Sequence, residues 1–509
     1  MVRRLVFYGD DLVQVELPDR TEILKAPPPL AQMPDYQSAV RRALREPLGC
    51  PPLAEMVGPG SRVTIAFDDP CLPLPPVWRD PRGLAVEAAL EELFSLGVRR
   101  EDIELVCAVG LHRKWTEREL QRVLGKRVWA VMGPSRVRNH DAEDPLGNVH
   151  LGSTPEGYPV EVDRCLLESD LTIYVNLNWT SMNGGWKSYL VGLGTYRSIR
   201  AHHNPATLIE GGTVMDPASR FHDILRAQGE FLSRHARVLS VETVLNNRVW
   251  PGPLDRYLSL EKGRVPLPFL LSRHAPQALK STVSSALRSA YAPIAVNAGH
   301  PEAVHRKTLE ALYRQQNVRV EKQRDALFLA LPNLSPYAAF SRINPLLAAN
   351  SALGYVFNLH MRRPLVRDGG ALVLMQPFLP GFHRRHHLPY VEFYEKVLPE
   401  TRDPREMETR FEESFADRKE YIEAYRHHYS YHGAHPFYVW YWCGLALERL
   451  GRVIVVGAKK REVVERLGFE HAPSLARAWD MARESLGGDF SLAHLSIPPI
   501  FAIEVETGS

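Results

Sequence analysis

Lysine is scarce in this 509-residue chain: 12 against 50 arginines, in a Lys+Arg total of 62 that nearly balances 59 Asp+Glu. The net charge of only +3 gives no bulk electrostatic pull toward nucleic acid or an anionic membrane surface. It also makes any lysine inside a motif worth close inspection. Cysteine is scarce too. Cys50, Cys71, Cys107, Cys165 and Cys443 are scattered, odd in number and without C-x-x-C spacing. That disfavours both a disulfide scaffold and a cysteine-based zinc site, and points to a reducing cytoplasm. No run approaches the ~18–20 apolar residues of a membrane span, and the apolar stretch after Met1 is too short for a signal h-region. What is present is an ordinary globular composition, 45% hydrophobic and 24% charged, long enough for two or three packed domains at ~100–200 residues each.

Short apolar runs alternate with longer helical patterns. Val63–Phe67, Ile103–Val109, Val128–Met132 and Leu171–Val175 read as buried strands, and Leu84–Gly97 reads as a helix between the first two. This rhythm predicts an α/β fold of two domains: an N-terminal, Rossmann-like, mostly parallel sheet and a C-terminal α/β domain, with a cleft between them. Phe221–His235 and Gln277–Ala290 read as helices, and prolines punctuate Trp250–Pro253 and Pro266–Pro268. The boundary is expected near 265–290, which divides the chain into residues 1–275 and 276–509. In the second part Ala326–Leu331, Ala371–Gln376 and Val453–Gly457 are expected strands and Pro345–Met361 a helix. A helical region spans about 390–450, and Ser491–Glu504 closes the sheet.

Three polar signals follow expected strands, at the carboxyl ends where open α/β sheets bind ligands. The first is Asp68-Asp69-Pro70-Cys71-Leu72-Pro73, which is equally compatible with a simple helix cap. The second holds His112 in Gly-Leu-His-Arg-Lys; a histidine there suits proton transfer near neutral pH, although a lone histidine is more often structural. The third runs from Asn176 to Asn204 and contains Gly184-Gly185-Trp186-Lys187-Ser188, a glycine-rich entry to a helix that suits a phosphate. It is no Walker A loop, because Trp186 separates the glycines from Lys187, and Arg197 occupies the third glycine position of a dinucleotide fingerprint. His202 and His203 point different ways on any regular element, so at most one is expected to ligate a metal. His383-Arg-Arg-His386-His387 reads as a solvated basic loop, and Tyr425–His435 as a helix end and loop whose aromatics pack.

Together these segments resemble the nickel-dependent lactate racemase family. The matching pieces are D-D-P-x-x-P at 68–73, G-L-H-R-K-x-T at 110–116, N-H-D-A at 139–142, L-G-S-T-x-E-G-Y-P-V at 151–160, G-G-x-K-S at 184–188 and H-N at 203–204. V-x-D-G-G-A-L-V-L and the closing V-V-E-R-L-G-F, S-L-A-R-A-W and L-S-I-P-P extend the likeness over most of the chain. It is densest over 60–205, and it rests on the order and spacing of the pieces.

The resemblance implies an isomerase, a 2-hydroxy acid racemase or epimerase. Its cofactor would be a nickel-pincer nucleotide, the Ni(II) complex of pyridinium-3,5-bisthiocarboxylic acid mononucleotide. It implies that Lys187 carries this group covalently, that His203, sixteen residues later, ligates the nickel, and that Asp69, Gly184 and Gly185 complete the cofactor site. The first catalytic histidine maps to His112. Hydride transfer at the α-carbon of a hydroxy acid would accompany removal of the hydroxyl proton by that histidine. Cofactor-biosynthesis proteins are the implied partners. The departures are specific: the carboxylate-gripping arginine falls on Leu72, the second catalytic histidine on Leu177, and no lysine exists within Ile343–Ser351. A substrate other than lactate is therefore expected, one that uses Arg79, Arg113, Lys114 or arginines of the second domain. The competing readings are a non-catalytic relative that binds or stores the cofactor, and an ordinary α/β enzyme holding another phosphorylated ligand at Gly184–Lys187.

Overall fold

The computed structural model describes residues 2–252, 255, 265, 267, 270, 274–339 and 341–506. Two six-stranded sheets organise it. In the first, the spatial order is Pro293–Gly299, Val238–Leu245, Leu171–Asn178, Val63–Asp68, Ile103–Ala108, Val137–Asn139. All neighbours are parallel except Val238–Leu245 and Pro293–Gly299. The interior strands are apolar on both faces because helices cover both sides. Chain order reverses between Val63–Asp68 and Leu171–Asn178, which lie side by side although residues 69–170 come between them in the chain. That is the switch point whose carboxyl ends open a crevice for ligands.

Local chemistry explains the elements that frame this crevice. The helix Pro81–Ser95 starts where the Asp80 side chain accepts from the Arg82 N–H and proline occupies the first turn, and it buries Ala85, Val86, Ala89, Leu90 and Leu93. The expected strand Val128–Met132 is instead the end of the helix Glu117–Met132. Thr116 and Glu119 form a reciprocal capping box that starts its first piece; non-helical backbone at Gly125 (φ 79, ψ 166) kinks it, and Val128 and Met132 lie one turn apart on the buried face of the second piece. The edge strand comes afterwards, at Val137–Asn139.

The second sheet is all parallel, in the order Glu470–Ala472, Arg452–Val456, Val366–Met375, Arg324–Ala330, Leu492–Ser496, Glu22–Lys25. Sheet membership does not follow one cut in the chain. Glu22–Lys25 completes the second sheet, and the hairpin of Val2–Tyr8 and Asp11–Leu17 packs on it through Val6, Val15 and Leu17. Pro293–Gly299, which lies past residue 275, belongs to the first sheet. The closing segment splits: Leu492–Ser496 joins the second sheet, while Ala502–Val505 pairs with Asn317–Val320 and His360–Met361 in a separate three-stranded sheet. The expected helix Pro345–Met361 ends at Val356, its second part a wider π-type turn. Of Gln277–Ala290, the part Gln277–Ala286 is helical; Pro266 and Pro268 lie outside the described residues. Between the halves runs the helix His435–Arg449, buried from His435 to Ala446. Among the described residues no helix is long and apolar enough to cross a membrane, and the five cysteines are free.

Candidate active site

The carboxyl ends of the first sheet and the second half together line a cavity. Asp69, His112, Gly184, Lys187 and His203 all line it, with Tyr337, Tyr355 and Trp442 supplied by the second half. Of the residues expected to hold the cofactor or act as the catalytic base, only Gly185 faces elsewhere. Its N–H donates to Glu242 Oε1 (2.6 Å) behind the cavity wall.

Asp69 leaves the strand Val63–Asp68 and meets His112, which leaves Ile103–Ala108. The His112 Nδ1–H donates to Asp69 Oδ2 at 3.0 Å, and the Trp115 indole N–H reaches the same oxygen at 3.2 Å. Burial alone would raise the Asp69 carboxyl, but the charge and hydrogen bond of His112 outweigh it and hold the group below its ordinary value. With Nδ1 committed to Asp69, Nε2 is the ring nitrogen left to act, and in the neutral imidazole it is the acceptor that a base requires. Cys71 brings a third ligand-type atom within 4.8 Å of these two residues. Burial pushes that thiol well up, however, so it stays protonated beside a carboxylate already accepting two hydrogen bonds.

Asp68 works on the other side of the turn. It accepts from Asn176 Nδ2 (2.7 Å), the Leu177 N–H (2.8 Å) and the Tyr174 hydroxyl (3.1 Å), tying the two switch-point strands together. Burial pushes its carboxyl up to about 6. The turn between the aspartates is held by Arg82, whose Nη1 donates to the Asp69 carbonyl (2.5 Å) and the Asp68 carbonyl (3.1 Å) while its other nitrogens bind Asp80.

Gly184 has φ +96, and a Cβ there would meet Glu242 Oε1 at 2.5 Å and Asn178 Nδ2 at 2.6 Å. Only glycine lets the loop pass this close before the helix Trp186–Gly192 carries Lys187 into the cavity. Lys187 makes no hydrogen bond or ion pair among the described residues. Burial lowers its pKa, with Asp68 opposing, which favours the neutral nucleophilic amine. His203 lines the cavity and His202 does not; their Nδ1 atoms lie 2.8 Å apart. The His203 ring packs beside Trp442, Tyr438 and Phe221 and is held neutral by burial, as a metal ligand must be.

The chain's sequence hid two supporting residues, Arg82 and Glu242. Glu242 did leave a signal, a carboxylate in the middle of the apolar strand Val238–Leu245, where it is fully buried. Arg82 looks like any polar residue of a first helical turn. The expectation that Arg113 or Lys114 handles substrate is corrected. Arg113 is paired with Glu119 (2.8 Å) and Lys114 with Asp141 (2.6 Å), and neither lines the cavity, nor does Arg79. Arg82 and Lys187 are the cationic side chains that do. Leu72 and Leu177 line the wall as leucines, and no residue of 343–351 reaches it. The segment 383–387 is not a purely solvated loop either: His387 is fully buried, with Nε2 donating to the Tyr337 carbonyl (2.9 Å).

Residues 8–215 match the family model of the lactate racemase N-terminal domain. Through that stretch the chain resembles the N-terminal domain of lactate racemases. It is 23% identical over 217 residues to the lactate racemase of Lactiplantibacillus plantarum, covering 41% of this chain and 47% of that protein. With the lactate racemase of Thermoanaerobacterium thermosaccharolyticum it shares 24% over 171 residues, covering 33% of this chain and 38% of the relative. The matched stretch thus spans less than half the length of either. In structure it resembles the lactate racemase apoprotein from Thermoanaerobacterium thermosaccharolyticum, with TM-score 0.63 and 18% identity over 99% of this chain and 100% of that one. A Thermotoga maritima protein gives TM-score 0.54 and 14% identity over 94% of this chain and 100% of its own. At these identities the structural likeness speaks for the fold.

Proposed function

We propose that the protein is a lactate-racemase-like isomerase. It would interconvert the configurations of a hydroxy acid other than lactate by hydride transfer at the α-carbon, with a nickel-pincer nucleotide as cofactor. The observation that carries this reading is the convergence of Asp69, His112, Lys187 and His203 on one cavity at the switch point.

The residues present fit such a group. Lys187 offers an unpartnered, desolvated amine for covalent attachment, His203 a neutral imidazole for nickel, and the glycine turn at 184, packed against Glu242 and Asn178, sets the position from which Lys187 enters the cavity. When bound, the group supplies a hydride acceptor and donor. The chain does the rest. His112 Nε2 takes the substrate hydroxyl proton and returns it, while Asp69 keeps the proton-bearing Nδ1 turned away. Tyr337, Tyr355 and Trp442 close the cavity from the second half and exclude water. The cofactor-making proteins are the partners this reading requires, and the cytoplasm the compartment it places them in.

A second reading, a carrier that binds the cofactor without turnover, is favoured by Leu72 and Leu177 standing where substrate-handling groups are expected. One preparation separates the two. After co-expression with the cofactor pathway, intact-protein mass should show an adduct of nucleotide size, and metal analysis should show bound nickel. Turnover on a panel of hydroxy acids then marks the enzyme. An adduct without turnover marks the carrier, and neither adduct nor nickel overturns both.

A further inference from the structure

We propose that His435 is a third imidazole of this active site beside His112 and His203, donating its Nε2–H to the oxygen beside the reacting hydroxyl while His112 accepts from the hydroxyl itself. This rests on the racemase-like reading of the cavity.

His435 opens the buried helix His435–Arg449. Its ring lies 5.2 Å from that of His112 at an interplanar angle of 80°. It lines a chamber shared with His112, His203, Tyr337 and Trp442, four residues that also line the main cavity. The second half therefore delivers an imidazole to the same space that His112 enters from the first sheet.

The two rings have opposite hydrogen-bonding sense, and their partners assign it. His112 faces a carboxylate through Nδ1, so Nδ1 carries the proton and Nε2 is an acceptor. His435 faces a phenol: its Nδ1 lies 2.5 Å from the Tyr390 hydroxyl. Burial keeps Tyr390 protonated and His435 neutral. The Tyr390 hydroxyl has no other partner among the described residues. Were His435 to donate from Nδ1, the phenol proton would be left buried and unpaired, which is costly. Tyr390 therefore donates, Nδ1 accepts, and the proton of His435 sits on Nε2, which has no protein partner among the described residues.

An α-hydroxy carbonyl compound needs that pair of groups: an acceptor for the hydroxyl proton and a donor for the neighbouring oxygen. No bond is made or broken at His435; it holds and orients. It takes over, as a neutral donor, part of the positioning that an arginine at position 72 would supply as a cation.

The test uses the full-length protein, isotope-labelled at the histidine nitrogens, in magnetic resonance with and without cofactor loading. The probe is α-hydroxyisobutyrate, which carries the hydroxyl and carboxylate but no α-hydrogen and so binds without reacting. In the unliganded wild type the proton of His435 should sit on Nε2, and Tyr390→Phe should redistribute it over both nitrogens. The probe should shift the signals of both His112 and His435. It should bind about tenfold more weakly to His435→Phe, with His435→Gln, which keeps an N–H donor, falling between. A proton on Nδ1 in the wild type overturns the proposal, as does probe affinity equal in wild type and His435→Phe, including absence of binding to both. The tautomer is read without a variant and without the cofactor. A failure to acquire nickel or adduct would therefore count against the racemase-like reading, while the nitrogen signals still decide the role of His435.

Discussion

The Nδ1–H of His112 donates to Oδ2 of Asp69 across 3.0 Å, joining residues 43 positions apart that leave two adjacent parallel strands. The dyad fixes the imidazole tautomer. Asp69→Asn should leave cofactor attachment intact but lower kcat about 10²–10⁴-fold, the range of a misplaced general base. The adduct mass and the rate, measured on one preparation, check it; unchanged kcat would remove Asp69 from the mechanism.

Lys187→Ala should abolish the covalent adduct, and His203→Ala should lower nickel retention, both with the fold preserved. Intact mass, metal analysis and a thermal melt are the three measurements. Full nickel and adduct in both variants would sink the assignment of these anchors.

Gly184→Ala forces a Cβ to within 2.5 Å of Glu242 Oε1 at a φ of +96. The expected result is a cost of about 1–3 kcal/mol in stability from backbone strain, together with loss of the adduct because the turn before Lys187 is displaced. Denaturant unfolding and intact mass test the two halves separately.

Lactate racemisation should be negligible. Leu72 cannot form the bidentate pair that arginine makes with a carboxylate, and losing such a contact costs about 2–5 kcal/mol when its partner is left buried. Arg113 and Lys114 are engaged elsewhere and make no replacement. Brisk interconversion of the lactate enantiomers by the loaded protein would overturn this.

Stability should fall as the pH drops below 6.5. Burial holds His222, His360 and His387 near 3, so they stay neutral in the fold and take up protons on unfolding between about 3 and 6.5. The neutral form is favoured above that window and opposed within it. At pH 5.5 each such histidine should cost about 1 kcal/mol relative to pH 7.5. Denaturant melts at the two pH values measure it; equal midpoints would show that these side chains are solvated.

How much was legible beforehand follows from the range of the interactions. The strand-end signals at Asp68-Asp69, His112 and Lys187 were readable because apolar periodicity locates strands, and the ends of parallel strands face one way. Periodicity failed at Val128–Met132, where five apolar-rich residues fit either period and the chain forms a short helix after the break at Gly125. It also gave no hint that Glu22–Lys25 would pair with Leu492–Ser496, since a four-residue strand carries almost no pattern of its own.

By itself, then, the sequence determined the α/β class, the strands at Val63–Phe67, Ile103–Val109 and Leu171–Val175, and the polar groups waiting at their ends. Tertiary structure alone decided which groups share a cavity. It turned His203 inward and His202 away, withdrew Arg113 and Lys114 into ion pairs, and set Glu242 behind the glycine turn. It brought His435 to within 5.2 Å of His112 from the far half of the chain. Local propensity acts over a few residues and fixes elements. Convergence is set by the packing of buried surfaces such as the helix His435–Arg449, whose partners Asn350–Val356 and Pro205–Leu208 are remote in the chain and leave no mark in its own pattern.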